Sequence, residues 1–237
     1  MIICRKGENR EVIYHKKRFE ILNTLRNEAI KIIECLDHSG IKGYAHGSVA
    51  RGDVSNQSDV DIVILNYLSP PLIENSIYIG GFKIYKTVII QATPQSTPKV
   101  YYYLDHRDKT VVSYPLSKLK EKELYFYKFS GIIDLNGLKK GLRVKGVDKR
   151  LMLIHPLDYG HYEECILDRS GYVAKILDIP ESIVNERIYM LGKREIYGRT
   201  GVFLEYTLHP GEDVLEAVRT IASKNRFFRE SIYYGWI

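Results

Sequence analysis

Asp59 and Asp61 stand two residues apart at the opening of the apolar run Ile62-Val63-Ile64-Leu65, which reads as a buried strand. Side chains two apart in a strand share a face, so the two carboxylates project together. Placed side by side they repel one another unless a cation lies between them. A hard divalent ion suits them, and Mg²⁺, which takes one or two carboxylates plus substrate phosphates, suits them best. Upstream, Gly47-Ser48 opens the turn Val49-Ala50-Arg51-Gly52, and Ser58 directly precedes the first acid. A glycine beside a serine lets a phosphate reach backbone N–H groups and a hydroxyl, because no side chain blocks the approach. Gly-Ser and Asp-x-Asp are each ordinary turn material alone. Their ordered combination is what points to chemistry on phosphates.

The whole stretch Tyr44–Leu65, YAHGSVARGDVSNQSDVDIVIL, resembles the signature of the nucleotidyltransferase superfamily that includes DNA polymerase beta. That resemblance implies an α/β (α+β) domain with a small mixed sheet. It also implies an enzyme that moves a nucleoside monophosphate from an NTP to a hydroxyl acceptor. By position, Gly47, Ser48, Arg51 and Ser58 are expected to bind the nucleotide and Asp59 and Asp61 to ligate Mg²⁺ (or Mn²⁺). Arg51 is expected to neutralise developing charge. Asp53, like Arg51, matches a less strictly defined position. A third carboxylate is expected on the strand after the pair, yet Lys86-Thr87-Val88-Ile89-Ile90-Gln91 contains none, leaving Gln91 and Asp105 as substitutes. Losing one anionic ligand weakens two-metal chemistry. A second reading follows from that gap, namely a nucleotidyltransferase fold with weakened activity that serves as a nucleic-acid-binding regulator.

These residues need elements to hold them. Apolar residues at Phe19, Leu22, Leu25, Ala29, Ile33 and Leu36 predict a helix over Lys16–His38, with Lys17, Arg18, Arg26 and Lys31 on a solvated face. Beyond the aspartates, a short helical piece is expected at Leu72–Ser76. Strands are expected over Phe82–Thr93, Lys99–Leu104 and Lys109–Tyr114, and a helix over Lys118–Lys128. Glycines punctuate 131–146, which suggests a nucleotidyltransferase domain over 1–140 and a mainly helical domain over 141–237. Lys139, Lys140, Arg143, Lys145, Lys149 and Arg150 form the densest basic cluster, readable as a solvated face or a phosphate track.

The spacing over Gly171–Leu191 predicts two short helices joined by Asp178-Ile179-Pro180. This resembles a winged helix-turn-helix, with Arg194–Leu208 as the β wing and Glu181, Ser182, Asn185, Glu186 and Arg187 as the exposed set. Two acids in that set oppose DNA affinity. Gly198-Arg199-Thr200-Gly201 reads as a hairpin turn. Asp213–Ser223 reads as an amphipathic helix, and the aromatic tail through Phe227, Phe228, Tyr233, Tyr234 and Trp236 as a seal on a core or a dimer contact. His46, beside Gly47, is placed to meet phosphate or to orient the turn.

The 237 residues are 45% hydrophobic and 27% charged, ordinary for a soluble globular protein, so disorder is not the default expectation. A formal charge of +6 and a pI near 9.0 are compatible with polyanionic partners. Cys4, Cys35 and Cys165 are scattered without a CxxC pair, so neither a disulfide framework nor a zinc site is expected and a reducing cytoplasm is the simpler compartment. No apolar run has the length of a membrane span, and the start of the chain lacks the pattern of a signal peptide. An NTP is the expected small-molecule partner, with nucleic acid and a second copy of the chain as candidate macromolecular ones.

Overall fold

The computed structural model describes residues 2–198 and 201–232. In chain order the elements are β1 (Asn9–Ile13), α1 (Lys16–His38), β2 (Gly43–His46), α2 (Ser48–Arg51), β3 (Val60–Ile64), α3 (Pro70–Ile79) and β4 (Lys86–Gln91). Next come β5 (Lys99–Tyr103), β6 (Thr110–Pro115), α4 (Glu121–Ser130), β7 (Ile132–Asp134), α5 (Leu135–Lys139), β8 (Gly146–Val147) and β9 (Met152–Leu157). The chain closes with β10 (Gly160–Cys165), α6 (Ser170–Leu177), α7 (Glu181–Tyr197), β11 (Leu204–Thr207), α8 (Val214–Lys224) and α9 (Arg226–Ser231). The class is mixed α and β, as the motif implies.

Two compact units share this chain: Met1–Ile30, Tyr44–Val60 and Glu121–Thr200 form one, and Lys31–Gly43, Asp61–Lys120 and Gly201–Ile237 the other. The linear division expected at 140/141 falls inside the first unit. Its cause is β1, which pairs antiparallel with β10 from Asn9↔Glu164 to Ile13↔Gly160 and so ties the start of the chain to residues far along it.

In the first unit the sheet order is β1-β10-β9-β8. Val147, Leu151, Leu153, Ile154, Cys165 and Ile166 pack with Val173 and Leu177 of α6 and Ile183, Val184 and Leu191 of α7. Full burial of each such aliphatic side chain contributes about 1.5–3 kcal/mol. Asp178, at φ 51, closes α6, and Pro180 begins α7, so the two helices and their joint fall where the spacing predicts. Among the described residues of Arg194–Leu208 no two strands pair with each other as a wing. Arg194–Tyr197 continue α7 as good helix formers, and β11 pairs instead with β4 of the second unit, Leu204↔Gln91 through Thr207↔Val88. Of the expected hairpin turn, Arg199 and Thr200 lie outside the described residues.

Cysteine pairing departs from expectation as well. Cys4 and Cys165, both in this unit, form a disulfide with Cα atoms 5.7 Å apart. Backbone bonds bring them together: Cys4 N–H donates to Arg150 O and Cys165 N–H to Glu8 O. Cys35 is free and buried.

In the second unit the strand order is β11-β4-β5-β6-β3. β6 is buried along its whole length, as expected of a central strand. Tyr102 and Tyr114 are both buried; their hydroxyls meet at 2.8 Å, and Tyr102 donates to Glu74 of α3 at 2.7 Å. Burial pushes both phenols far above their ordinary range. Phe228 of the aromatic tail is fully buried and Phe227 is exposed, while Tyr233, Tyr234 and Trp236 lie outside the described residues. No described helix is long and apolar enough to cross a membrane.

Candidate active site

A four-residue helical turn, α2, sits between two glycines. Gly47 enters it at φ 72, ψ −140, and Gly52 leaves it at φ 94. Side chains make such conformations costly, so glycine is required at both positions. Around Gly47 the requirement is conformational alone, because nothing lies within 4 Å of where a Cβ would stand. The turn is pinned by distant partners: Gly47 N–H donates to Gly131 O at 2.9 Å, and Ala50 O accepts from Val144 N–H at 3.2 Å. Ser48, half-buried, is its first residue.

Two arginines complete the support. Arg26 of α1 is buried and donates from Nε to Val49 O and from Nη2 to Ala50 O, each at 3.1 Å. Burial, joined by repulsion from Arg143, lowers its guanidinium to about 10. The solvated face expected for Arg26 is therefore wrong. The residue lies four after Leu22 and three before Ala29, on the buried stripe, and that spacing was the signal available for finding it. Arg51 donates from Nη1 to Ser130 O at 2.5 Å and from Nη2 to Asp53 Oδ2 at 2.9 Å, with both side chains almost fully buried. His46 packs edge-on to Tyr127, 5.3 Å between ring centres.

Asp59 is exposed and immediately precedes β3; Asp61, half-buried, is its second residue. Ser58 closes the loop before them, its hydroxyl accepting from Ser55 N–H at 2.9 Å. Asp61 is felt by Tyr103 of β5, whose phenol is raised first by burial, with Asp108, Glu205 and Asp61 adding to the effect and Lys86 opposing it.

Both candidate substitutes for a third carboxylate are committed elsewhere. Gln91 is fully buried; its amide nitrogen lies within 3.1–3.2 Å of Pro94 O, Ser96 O and Ser231 Oγ, while its Oε1 is buried without a donor, so the substitute it offers is a neutral oxygen enclosed in the core. Asp105 accepts from the N–H groups of Arg107 (2.6 Å), Lys109 (3.0 Å) and Thr110 (2.5 Å). Burial works to raise that carboxyl, but these donors outweigh it and hold it below its ordinary range. Among the described residues no three His, Cys, Asp or Glu side chains gather into a metal cage. An ion held by Asp59 and Asp61 alone would need water and substrate phosphates to complete its coordination.

A family model for the nucleotidyltransferase domain matches residues 26–145, a little over half the chain. The chain belongs to the nucleotidyltransferase family. Comparison with curated proteins finds no match, and neither does comparison with solved structures. The matched nucleotidyltransferase span holds Gly47, Ser48, Arg51, Ser58, Asp59 and Asp61 together with the supporting Arg26. It leaves out β1, β9 and β10.

Of the residues expected to face DNA, Glu181, Ser182, Asn185 and Glu186 are exposed on α7, and Glu181 accepts from the Ser170 hydroxyl at 2.6 Å. Arg187 turns inward. Its guanidinium lies 4.8 Å from the Phe126 ring, and burial lowers its pKa. The basic cluster is divided: Arg143 donates to Gly160 O and Leu157 O, and Arg150 pairs with Asp148 and Glu163. Lys139, Lys140, Lys145 and Lys149 are exposed.

Proposed function

We propose that this nucleotidyltransferase moves a nucleoside monophosphate from an NTP to a hydroxyl acceptor, releasing pyrophosphate. The observation that carries the reading is the Gly47-Ser48 turn, held open at a glycine-only conformation and followed on the same chain by two carboxylates two residues apart. The open space over Gly47 admits the triphosphate, and the Ser48 hydroxyl donates to a phosphate oxygen. Asp59 and Asp61 hold Mg²⁺ (or Mn²⁺), which when bound neutralises phosphate charge. Ser58 acts by setting the loop that presents Asp59. Arg51, committed to Ser130 O and Asp53, acts as a positioning residue for the turn rather than as a group meeting substrate. With Gln91 neutral and fully buried and Asp105 engaged by three backbone N–H groups, activation of the acceptor hydroxyl has no dedicated carboxylate from those positions, and slow turnover is expected.

The test is incubation of the full chain with labelled NTPs, Mg²⁺ or Mn²⁺, and nucleic-acid, protein and small-molecule hydroxyl acceptors, beside Asp59→Ala/Asp61→Ala. Label transfer that falls by about 10²-fold or more in the double variant supports the reading, since each decade corresponds to about 1.4 kcal/mol of transition-state stabilisation. Absence of transfer together with tight, salt-sensitive duplex binding replaces it with the regulator reading. The inward turn of Arg187, which leaves two acids among the exposed residues of α7, weighs against that alternative.

A further inference from the structure

Within the first unit lies a polar cavity of about 260 Å³ whose lining, Asp53 excepted, falls outside the matched nucleotidyltransferase span. The β1–β10 register builds one wall: Arg10 stands opposite Glu163 and Val12 opposite His161, so alternation puts these side chains on one face. Glu163 is only 1% exposed, yet fully answered. It accepts from Arg10 Nε (2.5 Å) and Arg150 Nη2 (2.5 Å) and meets His161 Nε2 (3.2 Å). Asp148 accepts from Arg150 Nε at 2.6 Å and from Met152 N–H at 3.1 Å.

Two groups on the lining remain unanswered. The Asp53 side chain is 7% exposed, and its Oδ1 is buried without a donor, Oδ2 alone being bonded to Arg51. Arg18 Nε is buried without an acceptor; its guanidinium lies 4.2 Å from the Tyr14 ring centre, and among the described residues no carboxylate pairs with it. Arg10, Arg18 and Arg150 line the cavity with Asp53, Asp148 and Glu163, and Asp53 is answered by Arg51 from outside the lining, so the guanidinium left without a carboxylate is Arg18. Buried polar groups left unmatched are costly, so a lining with a spare donor and a spare acceptor is complementary to a ligand carrying both partners.

We propose that this cavity binds a small phosphate that also carries a hydroxyl, with Arg18 donating to a phosphate oxygen and Asp53 Oδ1 accepting from an O–H. Inorganic phosphate qualifies through its own proton, because the hydrogenphosphate dianion still carries an O–H at neutral pH. A sugar phosphate qualifies through a ring hydroxyl. The volume lies below the roughly 300–1,000 Å³ of sites for drug-sized ligands and does not suit a nucleoside triphosphate. Sulfate has the right shape and charge but no proton at neutral pH, so Asp53 should reject it. The proposal is independent of nucleotidyl transfer.

Titration calorimetry of the full chain, in metal-free chloride buffer, tests it with phosphate, ribose 5-phosphate and sulfate. Expected are binding of phosphate or ribose 5-phosphate, the tighter of the two identifying the source, and sulfate at least about tenfold weaker. Binding should persist in Ser48→Ala, which separates this cavity from the motif turn, and fall at least about tenfold in Arg18→Leu. Should Arg18→Leu fail to fold, imidazole signals of His161 in the wild-type chain should shift on phosphate titration. Silence toward both phosphates, sulfate binding as tightly as phosphate, or loss of binding in Ser48→Ala with His161 unmoved overturns the proposal.

Discussion

Gly47 carries a conformation that other residues adopt only at a cost of about 1–3 kcal/mol, and it does so without steric crowding. Gly47→Ala is therefore expected to keep the fold but to lower the melting temperature by several degrees, at about 2–4 °C per kcal/mol for a chain of this size. Its transfer activity should fall with it, since Ser48 follows directly. An unchanged melting temperature in a thermal scan would show that the turn relaxes freely. The structural part played by Gly47 was legible because it depends on close neighbours. Arg51 was not. Its residue type suggests a charge aimed at substrate, while it is bound both to nearby Asp53 and to Ser130 O, which lies 79 residues away along the chain.

Among the elements, α1 was read with the right limits and one wrong face. Its buried stripe includes Arg26, whose two bonds hold the carbonyl ends of α2. Hydrogen bonds from charged groups contribute roughly 1.5–3 kcal/mol each, so Arg26→Leu should lower stability by a few kcal/mol. It should also slow nucleotidyl transfer, because the Ser48 turn loses an anchor. Denaturant midpoints measure the first effect, and a midpoint equal to wild type would detach Arg26 from the turn. The sheet β1-β10-β9-β8 was hardly legible at all, only Leu151–Ile154 being expected as a short buried segment. Its strands carry Arg10, His161 and Glu163 into a polar interior, which spoils the apolar alternation that marks a strand.

The same sheet makes stability depend on pH. Burial works to raise the Glu163 carboxyl, but bonds from His161, Arg150 and Arg10 outweigh it and hold the group well below its ordinary 4.5. A depressed carboxyl stabilises the fold above the unfolded value and loses that contribution as pH falls through the folded one. Burial raises Asp148, so that group acts in the opposite direction on acidification. Glu163→Gln should therefore be less stable than wild type at pH 7, with the gap narrowing below about pH 4.5. Melting curves across pH 2–7 check this, and a gap constant with pH would exclude Glu163 as the source.

At the scale of the whole molecule, the Cys4–Cys165 disulfide spans 161 residues of sequence and closes the first unit on itself. Disulfides typically contribute 2–4 kcal/mol, mainly by restricting the unfolded chain. Protein denatured without reductant should expose one reactive thiol, Cys35, and reduction should expose all three and lower the melting temperature. Three thiols before reduction would remove the bridge and restore the reducing compartment first expected, in which disulfides are uncommon.

The sequence by itself determined the class of fold, the family, the residues of the motif and the helix before it. Glycine permissiveness, two-residue alternation and 3.6-residue periodicity all act between near neighbours. Tertiary structure alone decided which arginines are bound up in support, which cysteines meet, how the two units share the chain, and that Arg18 Nε and Asp53 Oδ1 are left without partners at one cavity. Those outcomes rest on partners many residues distant, and no local pattern states which remote carbonyl or carboxylate a guanidinium will reach.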